Sequence, residues 1–89
     1  MKKIEMCRKV MDFGKEGQRT LVYYLIKSER KGKIRTVYGI GVRMQETGEE
    51  AVYIDVSSDY KTVCRLLDLA ASGYVTPITL GDVIYDNIE

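Results

Sequence analysis

A chain of 89 residues, with 45% hydrophobic and 30% charged residues, has the composition of one folded domain and not that of a disordered tail or a fibrous repeat. It contains no histidine and only two cysteines, which excludes Ser-His-Asp and Cys-His catalytic groups and leaves too few ligands for a zinc site. We therefore expect a single domain over residues 1–89 that is not an enzyme and takes no cofactor or small-molecule substrate.

The net charge of +1 conceals two halves of opposite sign. Residues 1–45 carry twelve Lys or Arg and four Asp or Glu, a net of +8, whereas residues 46–89 carry two and nine, a net of −7. The two halves should attract each other in the folded chain.

The longest apolar run spans residues 21–26 and is too short to cross a membrane. The basic N-terminus lacks the apolar segment that follows it in a signal peptide. These features predict a cytoplasmic protein with no membrane contact.

Alternation of apolar and polar residues predicts four β-strands between Ile4 and about Ser57. The strands are separated by "FGKEG" (13–17), "RKGK" (30–33) and "QETGEE" (45–50). Short turns join antiparallel neighbours, so we predict a meander.

Two glycines, Gly39 and Gly41, interrupt the third predicted strand, where glycine has no side chain to pack. A dinucleotide-binding loop would need a third glycine at the position of Met44 and a helix directly after it. Neither is present in the sequence, so the glycines require a structural explanation.

The pairing of the second and third strands suggests one. A two-residue turn over residues 31–32 places Tyr24 opposite Gly39 and Val22 opposite Gly41. We expect the Tyr24 ring to cover Gly39 and restore the lost packing. The alternative is that another stretch of backbone approaches the glycine closely.

This pairing assigns side chains to two faces of the sheet. The more apolar face should form the main core, with Leu21, Tyr23, Leu25, Tyr38, Ile40, Val42 and Met44. The opposite face, here called the glycine face, is half apolar and partly basic, with Val22, Tyr24, Ile26, Arg35, Val37, Gly39, Gly41 and Arg43. The length of the turn after Met44 decides which face receives Val52, Ile54 and Val56, and we predict the core face.

Helical spacing replaces the strand pattern from Tyr60 onwards, with Ser58 as the predicted N-cap and Gly73 as the closing residue. Thr76 and Pro77 predict the N-cap and first residue of a second, shorter helix. Strands followed by helices predict an α+β fold, ββββαα, in which a four-stranded antiparallel meander sheet carries two C-terminal helices on one face.

The second helix contains the pattern P-x-x-L-x-D-V-I-x-D, from Pro77 to Asp86. Together with "YYLI" (23–26), "VYGIGV" (37–42) and "VCRLL" (63–67), it resembles a small family of uncharacterised domains from clostridial-type, spore-forming bacteria. The resemblance implies a bacterial, cytosolic protein and brings no catalytic or binding residues with it.

The leading hypothesis for function is a non-enzymatic protein-interaction module that binds another protein or a second copy of itself. The surplus of apolar sheet surface suggests that it uses the glycine face or an exposed sheet edge. The candidate docking residues are Val22, Tyr24, Val37, Gly39, Gly41 and Arg43.

The alternative hypothesis is binding of nucleic acid or another polyanion by the basic hairpin around residues 27–35. Its candidate contacts are Lys27, Arg30, Lys31, Lys33 and Arg35. A solvated turn whose lysines protect the sheet edge is the simpler interpretation, and the acidic second half would repel a phosphate backbone. Nucleic acid is therefore the less favoured partner.

Overall fold

Four antiparallel strands in chain order form one sheet, and two helices follow them in the computed structural model, which describes residues 2–12, 14–29 and 36–88. The elements are β1 (Lys2–Asp12), β2 (Gln18–Glu29), β3 (Thr36–Met44), β4 (Glu50–Ser57), α1 (Tyr60–Ser72) and α2 (Leu80–Ile88), with a short 3-10 turn at Gly14–Glu16. The order across the sheet is β1-β2-β3-β4. The predicted α+β class and its ββββαα order are confirmed.

The register between β2 and β3 differs from the predicted one by two residues. Tyr24 lies opposite Gly41, and Ile26 lies opposite Gly39. The predicted pairs, Tyr24 with Gly39 and Val22 with Gly41, are therefore wrong, and the turn from which they were inferred lies outside the described residues. A shift of two residues keeps every side chain on its own face, because side chains alternate with a period of two.

The predicted core face does pack against the helices. The buried cluster joins Leu21, Tyr23, Leu25, Ile40, Val42 and Met44 of the sheet to Val63, Leu66, Leu67, Ala70, Ala71, Leu80 and Ile84 of the helices. Tyr38, the remaining predicted member, is half-buried against this cluster. Burial of each large apolar side chain contributes about 1.5 to 3 kcal/mol, so this cluster is the main source of stability.

Tyr23 connects the sheet to the segment between the helices. Its side chain is fully buried, and its hydroxyl donates a hydrogen bond to the carbonyl oxygen of Val75 at 2.9 Å. Burial raises the pKa of Tyr23 to about 12, and the nearby Cys7 and Tyr74 side chains add to the effect. The buried hydroxyl is satisfied only in its neutral form, as a donor.

The cap of α1 differs by one residue from the prediction, since Asp59 and not Ser58 is the N-cap. Its carboxylate accepts hydrogen bonds from the Lys61 amide at 3.1 Å and from the Thr62 hydroxyl at 2.8 Å. The bond from Thr62 is the main cause of the lowered pKa of Asp59. A carboxylate also suits the positive end of the helix dipole. Gly73 closes the helix, as predicted.

The start of α2 lies three residues after the predicted position at Pro77. A turn over residues 77–79 leads into the helix, and the amides of Thr79 and Leu80 both donate to the carbonyl oxygen of Thr76 at 3.1 Å. The Thr76 amide donates in return to the Thr79 hydroxyl at 3.2 Å. Thr76 therefore begins the turn before the helix and does not cap the helix itself.

The turn between β3 and β4 determines which face of the sheet each side chain of β4 occupies. The Met44 amide donates to the carbonyl oxygen of Glu49 at 2.8 Å, which leaves the four residues 45–48 in the turn. An even number of turn residues directs Val52 and Ile54 away from the core cluster, in contrast to the prediction. Val56 does pack against the core, as predicted. It does so because it lies where the pairing of β4 with β3 shifts and the regular alternation of side chains is interrupted.

That shift is a bulge in β4 opposite Gly39. Ile40 pairs with Tyr53 and Tyr38 pairs with Ser57, so the intervening stretch of β4 contains two more residues than that of β3. The bulged backbone crosses Gly39 at close range. A Cβ atom on Gly39 would collide with the carbonyl oxygen of Tyr53. The alternative explanation, a close approach of backbone, therefore accounts for this glycine, and the expected Tyr24 cover is wrong.

Gly41 has more space around it. A Cβ atom there would lie 3.5 Å from both Ile26 Cδ1 and Val52 Cγ2, which is ordinary van der Waals contact. These two side chains, from the strands on either side, pack across the glycine. The two glycines of β3 therefore differ in how strictly the fold requires them.

Substitution of the two glycines should separate these roles. Gly39→Ala is expected to lower the free energy of unfolding by about 3 kcal/mol, because the methyl group has to displace backbone. Gly41→Ala, the matched control, is expected to stay within about 1 kcal/mol of the wild type. Urea denaturation followed by circular dichroism measures both values. An equal loss in the two variants would show that the β4 crossing does not limit position 39.

Alkaline unfolding should reveal the buried hydroxyl of Tyr23. Because its pKa is raised from 10 to about 12, its contribution to stability is complete below pH 10 and is lost as the pH rises towards 12. The wild type should lose up to about 2.7 kcal/mol more than Tyr23→Phe over this range, at 1.36 kcal/mol per pKa unit. Denaturant titrations at several pH values measure the difference. Parallel curves for the two proteins would contradict the assignment.

Candidate functional site

Most of the predicted docking residues of the glycine face are already covered. Val22, Val37, Gly39 and Gly41 are buried, Tyr24 is half-buried and Arg43 is exposed. The helices pack on the other face, so the cover comes from elsewhere. The residues that remain accessible form only the rim of this face, and docking of a partner there stays a prediction.

An ion pair indicates how the sheet covers its own glycine face. Lys3 Nζ of β1 lies 3.0 Å from Glu50 Oε1 of β4, although β2 and β3 separate these strands. Sheet twist brings opposite corners of a sheet towards one another, and here it brings the side chains of Lys3 and Glu50 together across the glycine face. The pair itself is partly exposed and contributes little to stability. The ion pair is a consequence of the twist of the sheet and not its cause.

The rim of the glycine face contains a shallow hollow of about 190 Å³ lined by Arg8, Tyr24, Arg43 and other residues. Arg8 is already paired, since its guanidinium donates to both carboxylate oxygens of Glu5 at 2.7 and 2.9 Å. Hydrogen bonding with Arg8 is the main cause of the lowered pKa of Glu5. The hollow is therefore partly neutralised by the chain itself.

The basic hairpin lies mostly beyond the described residues. Lys27 is exposed near the end of β2. The other four candidate contacts, Arg30, Lys31, Lys33 and Arg35, fall outside the described residues. Polyanion binding at this hairpin stays a prediction.

The two edge strands differ in their protection against an added strand. An edge strand presents unpaired backbone groups, and charged side chains and bulges oppose pairing with another chain. β1 contains four Lys or Arg residues and a bulge at Met6. β4 has the sequence EAVYIDVS, with two acidic and five apolar residues. β4 also has a bulge, but it lies between Tyr53 and Ser57. In the described part of the chain, the regular stretch of β4 over residues 50–53 is the less charged edge.

A groove of about 380 Å³ lies between β4 and α2. It is lined by residues 52–56 of β4 and by Ile84 and Tyr85 of α2. Ile84 is only 3% exposed and belongs to the core, whereas Ile54 and Tyr85 are 45% and 74% exposed. The groove therefore has a fixed wall and two apolar side chains that a partner could cover.

Close packing holds α2 beside β4. Leu80 and Ile84 anchor the helix in the core cluster. A Cβ atom on Gly81 would lie 2.5 Å from the hydroxyl oxygen of Tyr53, so the tyrosine ring of β4 lies against the first turn of α2. The glycine permits this contact, which keeps the strand edge and the helix at a constant separation.

The sequence predicts a sheet edge as one docking surface but does not identify Ile54 and Tyr85. A signal for Tyr85 is present, because it stands outside the apolar stripe of α2 between two acidic residues. Ile54 gives a weaker signal, since β4 has apolar residues at both strand parities. Only the contact between β4 and α2 brings the two side chains to one groove.

The two elements that border the groove are acidic. β4 contains Glu50 and Asp55, α2 contains Asp82 and Asp86, and neither element contains Lys or Arg. Within residues 2–12, 14–29 and 36–88, there is no group of three or more His, Cys, Asp or Glu placed to hold a metal ion. Nor does any helix in these ranges have the length and apolar character to cross a membrane.

Comparison with protein families gives a match that covers residues 1–89. No curated protein and no solved structure matched the chain. The family description states no source organism and no activity, so the clostridial-type source stays a prediction. On the strength of a match over its whole length, the chain belongs to the Family of unknown function (DUF6514).

Proposed function

We propose that this domain is a protein-interaction module that binds its partner along the outer edge of β4. One observation supports the proposal above others: an edge strand with little charge protection borders an apolar groove whose Ile54 and Tyr85 are exposed. An extended segment that adds to such an edge gains backbone hydrogen bonds along the strand, and pockets beside the strand select its side chains.

The hydrogen-bond alternation in the sheet indicates which backbone groups are available. The Met44 amide bonds to Glu49, so residues 51 and 53 also direct their amides towards β3. Val52 lies between them and directs its amide and carbonyl groups outwards. A partner strand would therefore pair with Val52, beside the groove and next to Ile54.

A second copy of the chain is the less favoured partner at this edge. Two β4 strands side by side would extend the sheet across a dimer, but they would bring Glu50 and Asp55 of both copies together. Like charges on paired strands are destabilising. We therefore propose a different protein as the partner, and we keep self-association as an outcome to be measured.

Selection of peptides tests the proposal without a known partner. Random linear peptides displayed on phage are selected on the folded domain, and the best binders are synthesised and mapped by hydrogen exchange. We expect slower exchange of the Val52 amide and of α2 in the complex, since an added strand covers both. Protection on another surface, or no enrichment of peptides, would contradict the proposal.

A pair of exposed apolar residues provides matched variants. Tyr85→Ala removes a groove side chain that is 74% exposed, so the free energy of unfolding should change by less than about 0.5 kcal/mol. Its affinity for the selected peptides should fall by about tenfold, because a contact aromatic is lost. Ile78→Ala, at an 83% exposed residue that does not line the groove, should bind like the wild type. Fluorescence anisotropy gives the affinities, and sedimentation velocity reports any self-association.

A further inference from the structure

We infer that the segment bound along β4 is basic and extended, with Lys or Arg alternating with apolar or small residues, and belongs to another protein. This inference rests on the proposed function, because it concerns the chemistry of the partner at the same site. It combines three observations: the charge of the helix beside the groove, the direction of the outward backbone groups of β4, and the apolar surface between the strand and the helix.

The charge of the site is one-sided. β4 and α2 together contain four acidic residues and no Lys or Arg. Glu50 is paired with Lys3 at 3.0 Å, so the inference uses only the two carboxylates of α2. Asp82 and Asp86 of α2 are exposed. Asp82 precedes Tyr85 by three residues and so lies on the same side of the helix. Basic side chains on the partner would meet complementary charge there, whereas acidic ones would be repelled.

The two sides of an added strand require different side chains. Alternate side chains of such a strand point to opposite sides of the sheet. On the side of α2, the aliphatic part of Lys or Arg would cover Ile84 and Tyr85 while the charged end reaches the carboxylates of the helix. On the other side, the side chains would lie along the row that contains Val52, where apolar or small residues fit. A basic segment with alternating apolar or small residues therefore satisfies both sides of the strand.

The charge of α2 argues against three competing partners. An acidic segment, or the phosphate backbone of a nucleic acid, would meet the carboxylates of α2. A second β4 strand would do the same. The basic β1 strand of another copy has the required charge, but its bulge at Met6 interrupts the ladder. Such head-to-tail pairing would also continue from copy to copy into open chains.

Synthetic peptides test the inference directly. The probe is a nine-residue peptide with blocked ends and a fluorescent label, in which lysine alternates with valine and threonine. One control replaces every lysine with glutamate, and another replaces every lysine with threonine. At about 150 mM salt, we expect the lysine peptide to bind at least about tenfold more tightly than either control, since opposite charges then face each other. It should also protect the Val52 amide and α2 from hydrogen exchange.

Two further peptides separate strand addition from simple ionic attraction. Both peptides have the lysine sequence and carry N-methyl groups on alternate backbone amides. One peptide is methylated at the odd positions and the other at the even positions. An added strand directs one set of amides towards β4, so one methylated peptide should lose about tenfold in affinity and the other should bind almost like the parent. Ionic attraction alone predicts equal binding by both.

Charge variants of the protein complete the test. Asp82→Asn with Asp86→Asn should weaken the lysine peptide by about three- to tenfold and leave the threonine peptide unchanged, because only the charged peptide uses these carboxylates. Asp68→Asn, at an exposed position of α1 outside the groove, is the matched control and should have no effect.

The outcomes distinguish the two proposals. If glutamate or threonine peptides bind as tightly as the lysine peptide and protect Val52, the charge inference is overturned and the interaction site stands. Equal binding by both methylated peptides, or binding without protection of β4, overturns strand addition by a basic segment. Failure of every selected and designed peptide to protect β4 rejects the proposed function itself. If the domain self-associates and the lysine peptide abolishes that self-association, the partner at this edge is a second copy of the chain and not another protein.

Discussion

The close crossing of β4 over Gly39 is the constraint on which the rest of the sheet depends. Backbone carbonyl groups of Tyr53 and Ile54 occupy the space where any other residue would place its Cβ atom. The bulge that makes this crossing possible also interrupts the alternation of side chains within residues 54–56, so that Tyr53 and Val56 both reach the core. Without it, the strict alternation of side chains would send Val56 to the opposite face.

The position of the proposed site follows from that crossing. Tyr53 is the residue whose carbonyl lies nearest to Gly39, and its ring lies against Gly81 of α2. One residue of β4 therefore links the interior of the sheet to the helix that forms the other wall of the groove. Bulges commonly redirect side chains at sheet edges. Here the bulge leaves Ile54 exposed beside Tyr85, at the mouth of the groove.

Charge is distributed over the fold in a way that the total of +1 conceals. The basic half supplies β1, β2 and β3, whereas the acidic half supplies β4 and the two helices. Attraction between the halves is visible in the contact of Lys3 with Glu50. Asp82 and Asp86 of α2 are exposed to solvent beside this edge of the sheet.

Local sequence patterns by themselves determined the four strands, the two helices, their order and the members of the main core face. Period-two and helical spacing are properties of neighbouring residues. The members of the core face were predicted correctly despite a register error of two positions, because a shift by an even number leaves each side chain on the same face. Gly73 was likewise predicted as the end of α1, since a helix end is a local event.

Only the tertiary structure decided the register of β2 with β3, the faces that the side chains of β4 occupy, and the reason for a glycine at position 39. Each depends on segments that are distant in the sequence: the turn lengths between strands, the bulge opposite Gly39, and the contact of β4 with α2. The groove of the proposed site belongs to this second group. Ile54 and Tyr85 lie 31 positions apart in the chain, and no local pattern places them side by side. Packing of α2 on the core beside the edge strand brings them together.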